Sequence, residues 1–544
     1  MLTDHSGLSP FERALTVFTR IRPGEGRSTF LFFLHGFLLL FSYYIVRVLR
    51  EAFILTDFSP EVRSYGYAVI ALVLMFVVPL YGAVRKRIDG ERLLQAVTVF
   101  FAVNMLGFSA TAYYGISTSF TFFVWVSIFG AMMIAQFWAF AADTFNLKSG
   151  QRLFPVIMVG ANLGALAGAK FASIAVHALQ PVGLMMVATL VLAATAVLAG
   201  PARAATPEGS RAVSPEHGAA PAKLLGGIEL VLRDRYLLLV ALFIVLLNWI
   251  NTTGGFLLAR LVSSDADARV AASAGTLAKD VVITAFYGDY NFWTTLVGLV
   301  IQLLLVARVY RWVGIRGALM VLPVIAALGY GLMAFVPIFS IIRLVKIGED
   351  AVNNSLMNTT RQALFLPVDR DAKYEGKTAI DTFFWRVGDL IQAGVVYAGL
   401  HWLDWTTAEF AVLNFALALV WMGLAFAIGR EFRALAQRNS FNVPPEVGQA
   451  IPDLLYLPGR PFRHFVPEDA FRDADPGDVL NLDARLAGGK PLPRWVQFDA
   501  ARRTFLGTCP DGYCEEVTIE VVASDVDGSQ VASIFVMRRA LPAD

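Results

Sequence analysis

Long apolar stretches separated by short polar segments recur along the chain from about residue 29 to about residue 428. A helix needs about 20 apolar residues to cross the roughly 30 Å hydrocarbon core of a membrane. Stretches of this kind lie at 29–55, 65–84, 94–114, 118–141, 153–177, 181–200, 236–262, 291–309, 316–337, 339–366, 378–401 and 406–428. The pattern predicts an all-α polytopic membrane protein with about 12 transmembrane helices.

Lys and Arg residues are concentrated in every second connection between these spans. The connections at 85–92, 201–235 and 430–438 are basic, whereas those at 115–117 and 403–407 contain no Lys or Arg. Basic residues are enriched in cytoplasmic loops. We therefore expect a bacterial inner-membrane protein with both termini in the cytoplasm.

The longest connection divides the predicted spans into two sets of six. Residues 223–235 within it have the pattern of an amphipathic surface helix. This layout resembles the major facilitator fold, in which two half-bundles rock about a site near the midplane. The expected segments are a cytoplasmic N-terminus at 1–28, a bundle at 29–200, a linker at 201–235, a second bundle at 236–430, a linker at 431–444 and a tail at 445–544.

Composition supports a membrane protein and narrows its partners. The chain is 56% apolar and 16% charged, with a mean hydropathy of +0.59, whereas a soluble protein averages about a quarter charged residues. A net charge of +2 argues against binding nucleic acid. The sequence has no GxxxxGK loop, His-Glu-x-x-His or Gly-x-Ser-x-Gly motif. We expect membrane lipids and a small solute as partners, no cofactor and no enzymatic activity.

Charged side chains within the first and fifth spans are candidate functional residues, because each is costly at membrane depth. Arg47, Arg50 and Glu51 share one face of the first helix. They either reach the outer interface or face a cavity. On the fifth span, Asn162 and Lys170 accompany glycines at 160, 164 and 168, whose spacing predicts close helix packing.

The tenth span carries the densest stripe of polar residues. Arg343, Lys346, Glu349, Asp350 and Asn354 recur at three- and four-residue steps. Lys346 could pair with either carboxylate across one turn. The alternatives are a purely structural ion pair or a cytoplasmic loop.

The eleventh and seventh spans add further polar groups. Asp381, Arg386 and Asp389 lie on the eleventh span, where the last two are one turn apart and could pair with each other or with the tenth span. Asn251 precedes Gly254-Gly255 on the seventh span, a point at which a transport helix can unwind around a ligand.

Several stretches resemble the ATP/ADP translocase family over most of residues 28–430. They are Ser42–Glu51, Phe137–Asp143, Arg152–Pro155, Gly160–Gly164, Tyr236–Ala241, Lys346–Arg361 and Gly376–Asp381. The resemblance implies that Arg50 and Asp143 retain two charges that the family uses for nucleotide transport. Gly254 and Asp389 stand where the family has Glu and Lys, which changes the charge of the implied pocket.

We therefore expect a secondary active transporter, either an exchanger or a symporter, for an anionic nucleotide-like or phosphorylated metabolite. The expected solute-binding residues are Arg47, Arg50, Asn162, Lys170, Asn251, Lys346, Asn354, Arg361 and Arg386. The expected charge-balancing or coupling residues are Glu51, Asp143, Glu349, Asp350, Asp381 and Asp389. Two alternatives remain open: a transporter-derived scaffold whose tail binds a protein partner, and a transporter of lipids or amphiphiles.

Short alternating segments separated by turn residues predict a small all-β sandwich in the tail. The expected strands are 479–486, 496–498, 504–506, 517–523 and 529–536. The phrase Gly489–Asp499, followed by Arg503–Thr508, resembles dystroglycan-type cadherin-like, immunoglobulin-like domains. Asp473, Asp475 and Asp525 are either weak calcium ligands or solvated turn carboxylates. A cytoplasmic tail implies reduced thiols at Cys509 and Cys514, whereas export would permit a small disulfide hairpin.

Overall fold

The computed structural model describes two compact units, Met1–Phe432 and Arg433–Asp544. The described residues are 21–540 without 86–89, 212–223, 275, 336–337, 369–374, 441–444, 474–479, 511–515 and 526–528. The first unit is helical and the second consists mainly of β-strands.

The first half of the helical unit contains helices α1 to α6. The first four are α1 Glu25–Asp57, α2 Pro60–Arg85, α3 Gly90–Tyr113 and α4 Ser119–Thr144. The helix Leu147–Ala204 then breaks at Gln180, whose φ is 56°, into α5 (147–179) and α6 (181–204). Pro181 follows this break. Because Pro has no backbone N–H to donate, the hydrogen-bond ladder of α5 ends here and the chain reverses direction. We call the side of the bundle at which α1 begins the inner side and the opposite side the outer side.

The second half follows a linker helix, Leu224–Arg233, and contains α7 to α12. Helix α7 spans Arg235–Ala272, and the helical run from Lys279 to Phe335 breaks at Gly314 (φ 64°) into α8 (279–313) and α9 (315–335). The remaining helices are α10 (339–363), α11 (377–401) and α12 Thr407–Ser440. Wide π-helical turns interrupt α8 at Ile301–Leu305, α10 at Asn353–Met357 and α11 at Ile380–Phe384.

The helices match the predicted spans in order, and several extend beyond the predicted ends. Helix α8 begins at Lys279 and not near 291, so Asp289 is part of a helix. Helix α12 continues to Ser440, through most of the segment expected to be a linker. By length and apolarity, eight helical stretches in the described residues could cross a membrane, and two of them contain the breaks at Gln180 and Gly314.

Small residues allow α1 and α5 to pack with their backbones in contact. A Cβ added to Gly164 would lie 2.0 Å from the carbonyl oxygen of Phe37, and one added to Gly160 or Gly168 would lie 2.6 Å or 2.4 Å from a backbone oxygen of α1. The spacing of these glycines predicts this approach. The two halves meet through α8 with α1 and α5, and through α2 with α7 and α11.

The second unit has nine described strands in three sheets. They are β1 Glu446–Val447, β2 Leu454–Tyr456, β3 Pro461–Phe465, β4 Phe471–Arg472, β5 Asn481–Leu486, β6 Val496–Asp499, β7 Thr504–Thr508, β8 Val517–Ser524 and β9 Gln530–Arg539. The sheet orders are β1-β4, β2-β9-β8-β5 and β3-β7-β6, and β2 runs parallel to β9. The five predicted strands correspond to β5–β9, around a core that includes Tyr456, Phe505 and Phe535.

Cys509 corrects one expectation for this unit. It is buried and disulfide-bonded, so the predicted reduced thiol is wrong. The second cysteine of the chain, Cys514, lies outside the described residues.

Candidate functional site

A buried cluster of two arginines and one glutamate lies in the first half, toward the outer side. Glu51 Oε1 accepts a hydrogen bond from Arg50 Nη2, and Glu51 Oε2 accepts one from Arg63 Nε, both at 2.6 Å. Arg50 Nη1 donates to Ser127 of α4 at 2.9 Å, and Tyr67 is 3.3 Å from both guanidinium groups. We call Arg50, Glu51 and Arg63 the first-half cluster. With all three ionised, its net charge is +1.

Arg47 lies one turn before this cluster and has a different environment. It is half-buried, and its guanidinium carbon is 5.3 Å from the ring centroid of Tyr44. Among the described residues, no carboxylate forms an ion pair with Arg47. A guanidinium group held in a bundle without a fixed counter-ion is suited to a phosphate or carboxylate of a solute.

The predicted stripe on α10 forms a second buried cluster. Lys346 Nζ is 3.1 Å from both Glu349 Oε2 and Asp350 Oδ1. The hydroxyl group of Tyr330 on α9 donates to Glu349 at 3.0 Å, and that of Tyr290 on α8 donates to Asp350 at 2.6 Å. We call Lys346, Glu349 and Asp350 the second-half cluster. Both predicted ion pairs of Lys346 are present, within a helix and not in a loop.

Two glycines on α7 lie directly against the two clusters. A Cβ added to Gly254 would lie 2.0 Å from the Tyr330 hydroxyl and 2.9 Å from Lys346 Nζ. A Cβ added to Gly255 would lie 2.9 Å from Arg63 Nη1. Because neither position has a side chain, the charged groups of both halves reach the backbone of the same helical turn.

A third polar group joins the halves on the outer side. Lys170 on α5 forms an ion pair with Asp289 on α8 at 2.9 Å, and Arg343 on α10 pairs with the other carboxylate oxygen of Asp289. Close by, Ser173 Oγ donates to the carbonyl oxygen of Ala285 at 3.0 Å. The outer ends of α5 and α8 are therefore in direct contact.

On the inner side, a cavity of about 1200 Å³ separates α5 from α8. Its lining comes from α4, from residues 150–162 of α5 and from residues 299–303 of α8, and it includes Asp143 and Asn162. Most of its other lining residues are apolar, such as Met158 and Leu303. Of the predicted site residues, these two line this cavity.

The remaining predicted residues of the second half are located on α7, α10 and α11. Asp389 accepts hydrogen bonds from Asn248 at 2.8 Å and Thr252 at 3.2 Å, and it pairs with Arg386 at 3.2 Å. Its contacts to another helix are thus with α7 and not with the tenth span.

Arg361 and Asp381 form a separate pair toward the inner side. Arg361 Nη2 is 2.9 Å from Asp381 Oδ1, and Lys377 is 3.2 Å from the other carboxylate oxygen. Asn251 is half-buried and Asn354 is exposed. The predicted binding residues therefore occupy several separate places in the bundle.

Sequence reasoning missed Arg63, Asp289, Tyr290 and Tyr330. The first lies just before the predicted start of the second span, and the next two lie before the predicted start of the eighth. For these three residues, the signal is a charged or phenolic side chain directly before an apolar run. Such a side chain can belong to the helix when another helix supplies a partner for it, so the helix can begin before the apolar run does.

The tail contains no described cluster suited to calcium. Asp525 Oδ1 accepts a hydrogen bond from the backbone nitrogen of Ser529 at 2.8 Å, which is a turn contact. Asp473 is described, whereas Asp475 lies outside the described residues. Within the described part of the chain, no group of three His, Cys, Asp or Glu side chains could hold a metal ion.

Structural comparison shows the fold of the helical unit, which is the major facilitator fold. It is similar to the nucleoside transporter NupG, with a TM-score of 0.51 and 15% identity, over 75% of this chain and 99% of that one. It is also similar to a POT family transporter in complex with 5-aminolevulinic acid, with a TM-score of 0.55 and 13% identity, over 75% and 96% of the chains. At this level of identity, the likeness concerns the fold.

Sequence comparison adds particular relatives. ADP,ATP carrier protein 1 of Chlamydia pneumoniae is 24% identical over 379 residues, which cover 60% of this chain and 69% of the carrier. The carrier of the same name from Chlamydia muridarum is 23% identical over 513 residues, covering 78% and 92%. Residues 444–539 match the family described as "Putative Ig domain". These findings confirm the resemblances of both units.

Proposed function

We propose that this protein is a secondary transporter that moves an anionic nucleotide-like or phosphorylated metabolite by alternating access, without converting it chemically. One observation carries the proposal. Helices α5 and α8 touch on the outer side, where Lys170 pairs with Asp289, and are separated by the cavity on the inner side. Two helices that are in contact on one side and separated on the other are the arrangement expected of one state of an alternating-access carrier.

The solute class is supported by the sequence relatives and by the cations of the bundle. The similar Chlamydia proteins are named ADP,ATP carriers. Arg47 has no ion-pair partner among the described residues, and its fork geometry fits a phosphate group. We propose that Arg47 contacts the anionic part of the solute and that Asn162 and Asp143 line its path on the inner side.

Counterflow in proteoliposomes tests this function. Vesicles loaded with one unlabelled solute are offered the same labelled solute, with ADP, ATP, a nucleoside monophosphate, a sugar phosphate and uncharged adenosine in the panel. We expect uptake of at least one phosphorylated compound in preference to adenosine. Uptake of none of the panel, or of adenosine alone, contradicts the proposal.

We also propose that both termini face the cytoplasm of a bacterial cell, because the basic connections lie on the side at which α1 begins. The disulfide at Cys509 argues for the opposite orientation, since disulfides persist in oxidising compartments. Reporter fusions after Ser440 decide between them: a fluorescent protein that matures in the cytoplasm supports our assignment, and alkaline phosphatase activity outside it contradicts it.

We propose a protein partner for the Ig-like unit, since Ig-like sandwiches commonly present loops and sheet edges for binding. Affinity capture with the full-length chain in detergent, compared with a chain ending at Ser440, tests this. A stoichiometric partner lost with the tail supports the proposal, and the same set of captured proteins from both chains contradicts it.

A further inference from the structure

The second-half cluster contains more negative than positive charge. Glu349 and Asp350 are both within 3.1 Å of Lys346, and within the described part of the chain Lys346 is the one cation that pairs with either carboxylate. With every group ionised, the cluster carries one uncompensated negative charge. Such a charge away from water is costly, and a carboxyl group relieves the cost by taking up a proton.

The two carboxylates differ in their contact with solvent. The side chain of Glu349 is 5% exposed, whereas that of Asp350 is 24% exposed. The better-hydrated Asp350 also accepts a short hydrogen bond from Tyr290 at 2.6 Å, which stabilises its ionised form. The proton is therefore expected on Glu349.

The surroundings of Glu349 accommodate either protonation state. The Tyr330 hydroxyl lies 3.0 Å and 3.2 Å from the two oxygens of Glu349 and 3.3 Å from the carbonyl oxygen of Ile250. When Glu349 is ionised, Tyr330 donates to it. When Glu349 is protonated, its carboxyl group can donate to the phenolic oxygen while Tyr330 donates to Ile250 instead. No polar atom loses its partner in either case.

The other helices around the cluster supply few charges. From α12, Asn414 donates to the same Ile250 carbonyl at 3.1 Å. Helix α7 presents Gly254, which leaves Lys346 and Tyr330 against bare backbone. The next residue, Gly255, lies against Arg63 of the first-half cluster, whose other members are Arg50 and Glu51. On α10 itself, Arg343 is paired with Asp289.

We propose that Glu349 is a proton-binding site whose occupancy couples solute movement to a proton gradient. This inference rests on the proposed transport function. With Glu349 ionised, the second-half cluster has a net charge of −1 and the first-half cluster has a net charge of +1, and Lys346 and Arg63 are the members nearest to the intervening turn of α7. The attraction between these net charges favours contact between the halves on the outer side. A proton on Glu349 makes the second-half cluster neutral and removes the attraction. Protonation therefore changes the balance between the state open on the inner side and the state open on the outer side.

Infrared pH-difference spectroscopy of the purified full chain tests the proton site without any transport. We expect a carbonyl stretching band of a protonated carboxylic acid in the wild type and its loss in Glu349→Gln, which leaves Lys346 paired with Asp350 alone. Tyr330→Phe should shift the band, because the partner of Glu349 is removed, whereas Tyr290→Phe should not. The matched control Glu229→Gln, on the exposed linker helix, should retain the band. A band that survives Glu349→Gln, or that responds to Tyr290→Phe instead of Tyr330→Phe, overturns the assignment.

Transport measurements test the coupling. In proteoliposomes with an internal pH dye and labelled ADP, the wild type should accumulate solute about tenfold per unit of pH difference if one proton is coupled, since one unit is a factor of ten in proton activity. Accumulation by Glu349→Gln should become independent of the pH difference, while Glu229→Gln behaves as the wild type. Counterflow in the wild type without any response to the pH difference overturns the coupling and leaves the transport function standing. Absence of counterflow contradicts the transport function, and the infrared result still decides the proton site.

Discussion

Lys170 on α5 and Asp289 on α8 form an ion pair of 2.9 Å that joins the two halves of the helical unit on the outer side. Arg343 binds the same carboxylate, so one aspartate holds two cations from different helices. Removal of the aspartate charge would leave two cations facing each other.

We expect Asp289→Asn to favour opening of the outer side. The substitution removes the attraction between α5 and α8 and leaves Lys170 and Arg343 to repel each other. Labelling of a Ser173→Cys variant by a membrane-impermeant maleimide measures the opening, and Asp289→Asn should increase its rate several-fold. Asp265→Asn, which removes a carboxylate paired with Arg269 within α7, is the control. Equal labelling rates in the two variants would show that Asp289 does not hold the outer side closed.

We expect Arg47→Gln to reduce uptake of a phosphorylated solute by about tenfold or more, which corresponds to the loss of one charge-assisted hydrogen bond of 1.5–3 kcal/mol. Arg47 forms no ion pair among the described residues, so its removal leaves no carboxylate uncompensated there. Arg433→Gln, at an exposed position near the end of α12, should have no effect. Similar uptake by both variants would exclude Arg47 from the solute site.

We expect Glu51→Gln to destabilise the helical unit strongly. Glu51 is the carboxylate that pairs with both Arg50 and Arg63, and all three residues are buried. Loss of one partner of a buried ion pair costs about 3–5 kcal/mol. Thermal unfolding in detergent measures the effect, with Glu409→Gln at the exposed start of α12 as the control. A melting temperature within error of the control would contradict this role.

We expect Gly164→Ala to disrupt the packing of α1 on α5. The added methyl group would lie 2.0 Å from a backbone oxygen of α1, which cannot move aside as a flexible side chain can. Such overpacking costs about 1–3 kcal/mol. At the exposed Gly107 of α3, an added Cβ meets nothing within 4 Å. Gly107→Ala should therefore leave the melting temperature unchanged or raise it, and equal effects at the two positions would argue against the close contact.

We expect the stability of the tail to fall in mild acid through His464. Burial lowers the pKa of His464, although the nearby Pro452 carbonyl and Asp453 oppose this shift. As the pH falls below the unfolded pKa of about 6.5, the unfolded chain takes up a proton that the folded chain does not, so stability decreases. Above that pH the residue has no effect.

Limited proteolysis of the full chain in detergent between about pH 8 and about pH 5 measures this change. His464→Phe should remove the acid sensitivity of the tail, and His401→Phe, at an exposed position on α11, should retain it. If His464→Phe keeps the acid sensitivity of the wild type, another group is responsible.

The sequence predicts the helices better than it predicts their partners. The stripe on α10 could be recognised because Lys346, Glu349 and Asp350 lie within one turn and their pairing is local. The first residues of α2 and α8 could not be predicted, because Arg63 and Asp289 lower the hydropathy of their own segments. Their partners, Glu51, Lys170 and Arg343, lie on other helices, so the compensation arises only when the bundle assembles.

The cavity illustrates a second limit. The family resemblance points to Asp143 and polarity within a span points to Asn162, and both line the cavity together with apolar residues that give no signal of their own. A cavity depends on where α5 and α8 diverge, which follows from the contacts at their other ends. Local periodicity contains no information on that divergence.

Gly254 and Gly255 have a further consequence for how the halves communicate. Because no side chain covers α7 at these positions, only its peptide groups lie between Lys346 of the second-half cluster and Arg63 of the first-half cluster. The electric field of one cluster then acts on the other without any mechanical linkage. A side chain at either glycine would collide with Tyr330 and Lys346 or with Arg63, and it would push these groups away from the helix that lies between them.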